Sequence, residues 1–374
     1  MSALPLRILV VAPLRFPIAR LHSGGLESVV WNEVRALRER GHQVDLIAAR
    51  GSDFLDDGPP EFVLDPVVWT PGDNPTDDSY PVGYLSRSGA GLGRALDLVA
   101  DSPGRWDVMS NHCLHPLPVL RAGDVGVPVA TTLHTPVDPD VVLAAAASSR
   151  EQRFLAVSEY TRQRWARAGV YATVLQNGVE VRDWPLGPGG PGLVWFGRIV
   201  PEKAPHLAIE VARRLRRPLT LAGRVGDPQY AEQRVLPRLG HQVQWAGHLG
   251  QTDLARLLGT SGCALMTPLW PEPFGLVAPE SLMCGTPVAA FAAGGVPEIA
   301  RLASGMSTVP RMDLEALTHQ ADEQLQMQTH PPSRARIRAK AAASFSLDTR
   351  IEALEAILRQ EVAAWAPADA EVVA

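Results

Sequence analysis

Two glutamates eight residues apart carry the sharpest chemical signal in the chain. They lie in Pro268-Leu269-Trp270-Pro271-Glu272-Pro273-Phe274-Gly275-Leu276-Val277-Ala278-Pro279-Glu280, which follows an apolar strand and leads into a helix. Glu272 falls in the loop and Glu280 in or near the first helical turns. At this separation they could grip two parts of one extended ligand. A carboxylate accepts two hydroxyl donors, which suits the vicinal diol of a sugar or a ribose. The backbone N–H groups of Phe274, Gly275 and Leu276, ahead of the helix, are expected to be open to a ligand. A plainer account makes Glu272 a solvated loop charge and Glu280 a carboxylate favouring the helix dipole. It gives no reason for a Pro-x-Pro-Phe-Gly loop at a strand end.

A second set opens another strand–loop–helix unit. After Leu193-Val194-Trp195-Phe196 come Gly197, Arg198 and, after four intervening residues, Lys203. Gly197 lets a ligand approach the backbone. Arg198 and Lys203 place a forked donor and a point charge beside a helix start, a pairing suited to a diphosphate. Ordinary surface charges would read the same way, so both readings stand at this point.

His134 ends the strand Ala130-Thr131-Thr132-Leu133, where a histidine can bond a sugar hydroxyl or shuttle a proton. His112 and His115 flank Cys113 after another strand; with no fourth ligand evident they read as structural or acceptor-lining, not as a metal site. His22, just before Gly24-Gly25, is a weaker acceptor-side candidate. Asp138-Pro139-Asp140 is literally D-x-D, but the intervening proline argues against a metal-binding use.

The elements that must position these residues are short apolar runs alternating with helical periods, the signature of a parallel α/β architecture. Strands are expected at 7–12, Val44–Ala48, Asp107–Ser110, Val127–Leu133, Phe154–Val157 and Ala172–Leu175, with a helix over 26–40. Between Trp184 and Gly192, seven of nine residues are Gly or Pro, which reads as an interdomain linker. Beyond it come strands Leu193–Phe196, Leu219–Ala222, Val243–Trp245, Cys263–Thr267 and Val288–Phe291. Helices are expected at 203–216, 230–238, 251–258 and near 276–284, and successive helices from about 311, the last over 348–364. The organisation expected is a first domain over 1–184, a linker at 185–192, a second domain over 193–345, and a C-terminal helix at 346–374 packing back on the first domain. Open parallel sheets bind ligands beyond the carboxyl ends of their strands, where all the residues singled out lie.

Composition closes off other classes. Gly and Pro are 65 of 374 residues, above the ~12% average yet below the ~25–30% of low-complexity chains. The 46% hydrophobic content suffices for large cores. A net charge of −5 argues against a protein held to nucleic acid by bulk positive charge. Three scattered cysteines argue against a disulfide framework and for a reducing cytoplasm. No apolar run is long enough to span a bilayer, so any membrane contact is expected to be peripheral.

Taken together, Gly24-Gly25, His134, Asn177-Gly178-Val179, Gly197-Arg198, Lys203, Glu272-Pro273-Phe274-Gly275 and Glu280 resemble the retaining nucleotide-sugar glycosyltransferases of family 4. Gly285-Thr286-Pro287-Val288 and Gly294-Gly295-Val296-Pro297-Glu298 extend the likeness, which runs from about residue 7 to about 303. The resemblance implies a GT-B fold: two doubly wound Rossmann-like domains facing a central cleft, acceptor mainly on the first and donor mainly on the second. It implies that Arg198 and Lys203 neutralise the leaving diphosphate, and that Phe274, Gly275 and Leu276 offer amides to the donor. Glu280 would hold the ribose diol, and Gly25 would let its loop close over the phosphates. His134 and Glu272 would be the catalytic pair, Glu272 acting by positioning and electrostatics and not as a covalent nucleophile. The donor would be a UDP- or GDP-type sugar, with no cofactor and no metal, and the acceptor some hydroxyl compound. Pro279 and Ser281 depart from the family's usual residues, which makes the start of the helix decisive for the reach of Glu280. A nucleotide-sugar epimerase or phosphorylase on the same fold, or a non-catalytic sugar-nucleotide sensor, are the competing expectations. Neither the acceptor nor the oligomeric state is encoded in any motif.

Overall fold

Apolar runs too short for helices form two parallel sheets, each carried by its own set of helices. The computed structural model describes residues 4–55, 58–70, 80–327 and 331–365. The first sheet is built from β1 (Arg7–Val11), β2 (Gln43–Ala49), β3 (Val63–Leu64), β4 (Val108–Asn111), β5 (Val129–Leu133), β6 (Arg153–Ala156) and β7 (Thr173–Val174). Its helices are α1 (Gly25–Glu39), α2 (Tyr84–Ala100), α3 (Leu117–Leu120), α4 (Pro139–Ala147) and α5 (Glu159–Arg167). The strand order is β3-β2-β1-β4-β5-β6-β7, parallel throughout.

The second sheet holds β8 (Leu193–Phe196), β9 (Leu219–Ala222), β10 (Val243–Trp245), β11 (Cys263–Met266), β12 (Val288–Phe291) and β13 (Met306–Val309). Around it run α6 (Pro205–Leu215), the single turn α7 (Pro228–Tyr230), α8 (Gln251–Gly259), α9 (Val277–Met283) and α10 (Val296–Leu302). Three longer helices follow: α11 (Leu314–Met327), α12 (Pro331–Phe345) and α13 (Leu347–Ala364). The order is β10-β9-β8-β11-β12-β13, again parallel. In both sheets the chain winds outward from the first strand, then returns to its other side. The strand order therefore reverses between β1 and β4, and between β8 and β11. Diverging connections leave an open crevice at such points, where ligands of doubly wound sheets bind.

The chain divides into two compact units. One runs to Gln176 and resumes at Asp348; the other takes in Asn177–Leu347. The 185–192 stretch, expected as the linker, thus lies inside the second unit. Its backbone is tied there: Gly187 N donates to Cys284 O, Gly189 N to Gly259 O, and Gly262 N to Gly192 O. A Cβ on Gly187 would sit 2.2 Å from backbone atoms of Gly259, so glycine here serves close chain-to-chain contact. Helix α13 belongs to the first unit from Asp348 onward, with Ile351, Leu354 and Leu358 fully buried.

Other differences are local. In place of a helix over 230–238, a single α-turn is followed by a π-turn at Ala231–Val235 and a 3-10 turn at Leu236–Arg238, broken at Pro237. Helix α2, which no sequence pattern announces, contains Gly89, Gly91 and Gly93, poor helix formers whose helix is held by burial of Leu92, Ala95, Leu96 and Val99. No described helix is long and apolar enough to cross a membrane.

Candidate active site

At the second sheet's reversal point, the loops after β8 and β11 meet. Beyond β8 the chain turns at Val200–Lys203 and enters α6 through Ala204 at φ 48°. Thr267, at the end of β11, fastens this turn: its hydroxyl reaches the carbonyls of Lys203 and Ala204 at 2.9 and 3.0 Å and accepts from Trp195 Nε1 at 3.1 Å. Leu269 N donates to Glu202 O at 2.7 Å. So held, Lys203 Nζ lies 2.5 Å from Glu272 Oε2 and 4.9 Å from the centre of the Trp270 ring. Trp270 Nε1 donates to the same oxygen at 2.8 Å. Glu272 Oε1 makes no hydrogen bond among the described residues, so this carboxylate is oriented by two donors and keeps one oxygen for a ligand.

The Glu272 loop is shaped by Gly294-Gly295. Gly295 N donates to Glu272 O at 2.8 Å, and Gly294 adopts φ +60°. A Cβ on Gly294 would lie 2.1 Å from Glu272 O, so any side chain there would displace the loop.

The other residues singled out in this half follow directly. The amides of Phe274, Gly275 and Leu276 donate to no described residue. Phe274 is buried, its ring edge-on to Phe345 at 6.3 Å. Helix α9 begins at Val277, with Leu276 as its N-cap, which places Pro279 and Glu280 in the first turn. Proline is tolerated there because its missing N–H would have no helical partner. Glu280 is partly exposed; its carboxyl makes no hydrogen bond among the described residues and is pushed up to about 8 by burial. A carboxyl so placed gains from any donor that a ligand supplies. Arg198 is half-buried, two residues past β8.

Gly25 and His134 belong to the first unit. Gly25 opens α1, behind Gly24 as N-cap. His134 follows β5, and its Nε2 lies 2.9 Å from His112 Nδ1 at the end of β4. His112 Nε2 is in turn 2.8 Å from Glu33 Oε1, whose carboxylate also meets Arg350 of α13 at 3.0 Å. Burial pushes Glu33 up, but His112 and Arg350 outweigh it and hold the carboxyl at about 2. Burial, reinforced by His112 and Arg350, keeps His134 well below the usual imidazole range. Sequence reasoning passed over Glu33 and Arg350. Glu33 did leave a trace, since it interrupts the apolar stripe Val29–Val30–Val34–Leu37 of α1. Arg350 left none.

Remaining candidates have structural places. Asp138 caps α4 by accepting from Asp140 N and also accepts from Tyr80 OH. His115 is tied to the carbonyl of Leu85 and accepts from Leu117 N. Cys113, Cys263 and Cys284 are free and buried.

Comparison with known proteins bears on both halves. Residues 23–183 match the model of Glycosyltransferase Family 4, and residues 182–344 that of Glycosyl transferases group 1. A glycogen synthase of Mycobacterium tuberculosis is 34% identical over 182 residues, spanning 46% of this chain but only 42% of that protein. A D-inositol 3-phosphate glycosyltransferase of Actinosynnema mirum is 29% identical over 337 residues, 75% of this chain and 78% of that one. Among solved structures, sucrose-phosphate synthase of Thermosynechococcus elongatus superposes with a TM-score of 0.75 at 18% identity, covering 96% of this chain and 100% of the other. HepE of Anabaena, solved with UDP and glucose, gives 0.72 at 18% identity, covering 95% and 99%. These structural likenesses establish the fold. With one family model on each half and two doubly wound parallel-sheet units beneath them, the chain belongs to the family 4 glycosyltransferases and has the GT-B fold.

Proposed function

We propose that this protein transfers a sugar from a nucleoside-diphosphate sugar to an acceptor hydroxyl, with retention and without a metal. The observation that carries the reading is the Lys203–Glu272 pair at the β8/β11 reversal, with Glu280, whose carboxyl makes no hydrogen bond among the described residues, eight residues on. Lys203 and Arg198 neutralise charge that develops on the leaving diphosphate as the glycosidic bond breaks. Glu272, steered by Lys203 and Trp270, takes sugar hydroxyls on Oε1. Glu280 takes the ribose diol, and the amides of Phe274, Gly275 and Leu276 bind sugar or phosphate. In the first unit, Gly25 serves the phosphates and His134 a sugar hydroxyl. Glu272 Oε2, already engaged by two donors, suits positioning better than attack at carbon, which leaves same-face substitution assisted by the departing phosphate. That HepE was solved with UDP and glucose supports a UDP-sugar as the first donor to try.

The test is a panel of UDP-, GDP-, ADP- and TDP-sugars. One of them should raise thermal stability, by about 2.7 kcal/mol at a hundredfold excess over Kd. With an acceptor present it should release the nucleoside diphosphate, undiminished by chelator. Tight binding without release would point to a sensor, isomerisation without acceptor to an epimerase, and an absolute need for added divalent metal would refute the metal-free mechanism.

A further inference from the structure

The contacts that end at His134 begin on α13. Arg350 Nη2 donates to Glu33 Oε2 at 3.0 Å, while its Nη1 reaches the carbonyls of Leu175 and Gln176 at 3.2 and 3.1 Å. Glu33 Oε1 faces His112 Nε2 at 2.8 Å and accepts from Ser110 Oγ at 3.1 Å; with its one hydrogen given to Glu33, Ser110 Oγ, also 3.1 Å from His112 Nε2, can only accept from that nitrogen. His112 Nδ1 faces His134 Nε2 at 2.9 Å. Glu33 and His112 are 0% exposed, so no water competes for these contacts. His134 is the partly exposed member, and its Nδ1 makes no hydrogen bond among the described residues.

Each contact needs one hydrogen, and with a single ring hydrogen on His112 counting them sets the order. Glu33 is held ionised by Arg350 and His112 and can only accept, so His112 carries its hydrogen on Nε2. If His112 carries that one ring hydrogen only, its Nδ1 keeps a lone pair, and the hydrogen of the next contact sits on His134 Nε2. That leaves a lone pair on His134 Nδ1.

We propose that Glu33, acting through His112, locks His134 in the tautomer whose Nδ1 accepts a hydrogen bond from a substrate hydroxyl. Arg350 keeps Glu33 ionised. Glu33, His112 and Arg350 are positioning residues for His134, and the proposal rests on the reading of His134 as a sugar-hydroxyl contact. The chain selects hydroxyl donors at this point and disfavours a ligand oxygen that can only accept, such as a carboxylate or phosphate.

The test is a long-range proton–nitrogen NMR correlation of the histidine rings in the full-length protein at pH 8, with His134 assigned by the loss of its signals in His134→Gln. The expected pattern is hydrogen on Nε2 and a bare Nδ1, with no averaging. Hydrogen on Nδ1, or rapid exchange between tautomers, would overturn the proposal. In Glu33→Gln the side-chain amide can donate to His112, so the fixed pattern at His134 should be lost. Its kcat should fall about 10–100-fold, with a smaller change in donor KM. Glu33→Asp, which keeps an acceptor, should restore part of both. If Glu33→Gln does not fold, Glu33→Gln/Arg350→Gln removes both charges together and should lose the pattern in the same way. An unchanged tautomer in a folded variant would also overturn the proposal. A wild-type protein with the expected tautomer but no sugar transfer would refute the catalytic reading and leave the lock intact.

Discussion

The two sheets reverse their strand order at equivalent places and furnish them differently. At β1/β4, Glu33 is wholly buried and both of its oxygens are engaged, by Arg350, His112 and Ser110. At β8/β11, Glu272 is also buried, at 9% exposure, but has one oxygen engaged by Lys203 and Trp270 and the other without a hydrogen bond among the described residues. The carboxyl of Glu280 beside it makes no hydrogen bond among the described residues. The same topology thus yields one carboxylate spent on orienting neighbours and another held ready for a ligand. A charge satisfied on every side contributes to structure; one left half-satisfied is where a ligand gains most.

The largest effect that would break this contrast is on stability. Arg350→Ala leaves Glu33 buried with one partner fewer and should cost about 3–5 kcal/mol in urea unfolding. Lys203→Ala should cost less, since Lys203 and Glu272 are not wholly buried and Trp270 still donates to the carboxylate. The reverse ranking would mean that the second crevice, not the first, is the structural one.

Activity should rank the other way. Lys203→Ala and Glu272→Ala should each lower kcat by about 100- to 1000-fold, with circular dichroism unchanged. Near-wild-type turnover in either would remove that residue from the site.

The smallest effect concerns Glu280. Its folded carboxyl titrates near 8 against an ordinary value of 4.5. Between those values the folded state binds more protons than the unfolded state, so this group lowers stability as pH rises through that window. Below about pH 4 it contributes nothing. Glu280→Gln should therefore match the wild type at pH 4 and melt a few degrees higher at pH 8.5. Hydroxyls donated by a ribose would favour the ionised form, so donor binding near pH 7 should release a proton. Calorimetry in buffers of different ionisation enthalpy should detect it in the wild type and not in Glu280→Gln.

The residues around Glu272 were legible because their signals are short-range. Glu272, Phe274, Gly275, Leu276 and Glu280 sit within nine consecutive residues, and strands β8, β9, β10 and β12 fall where alternation and flanking glycines place them. The Gly/Pro run at 185–192 shows where such reading fails. Composition excluded helix and central strand there, but not whether the backbone hangs free or is sewn against Gly259. Likewise α2 has three glycines against it, and only its buried face makes it a helix.

By itself the sequence determined the alternation of strand and helix, and so two parallel sheets with chemistry at their carboxyl ends. It also placed the E-x₇-E segment and the Gly197–Lys203 turn just beyond two of those strands. Only the tertiary structure decided which charges meet. Lys203 and Glu272 are 69 residues apart, and Glu33 and Arg350 are 317 apart. Helical and strand periods describe neighbours along the chain. Pairing over such distances depends on strand order and packing, which place side chains together without leaving any local pattern in the residues between them.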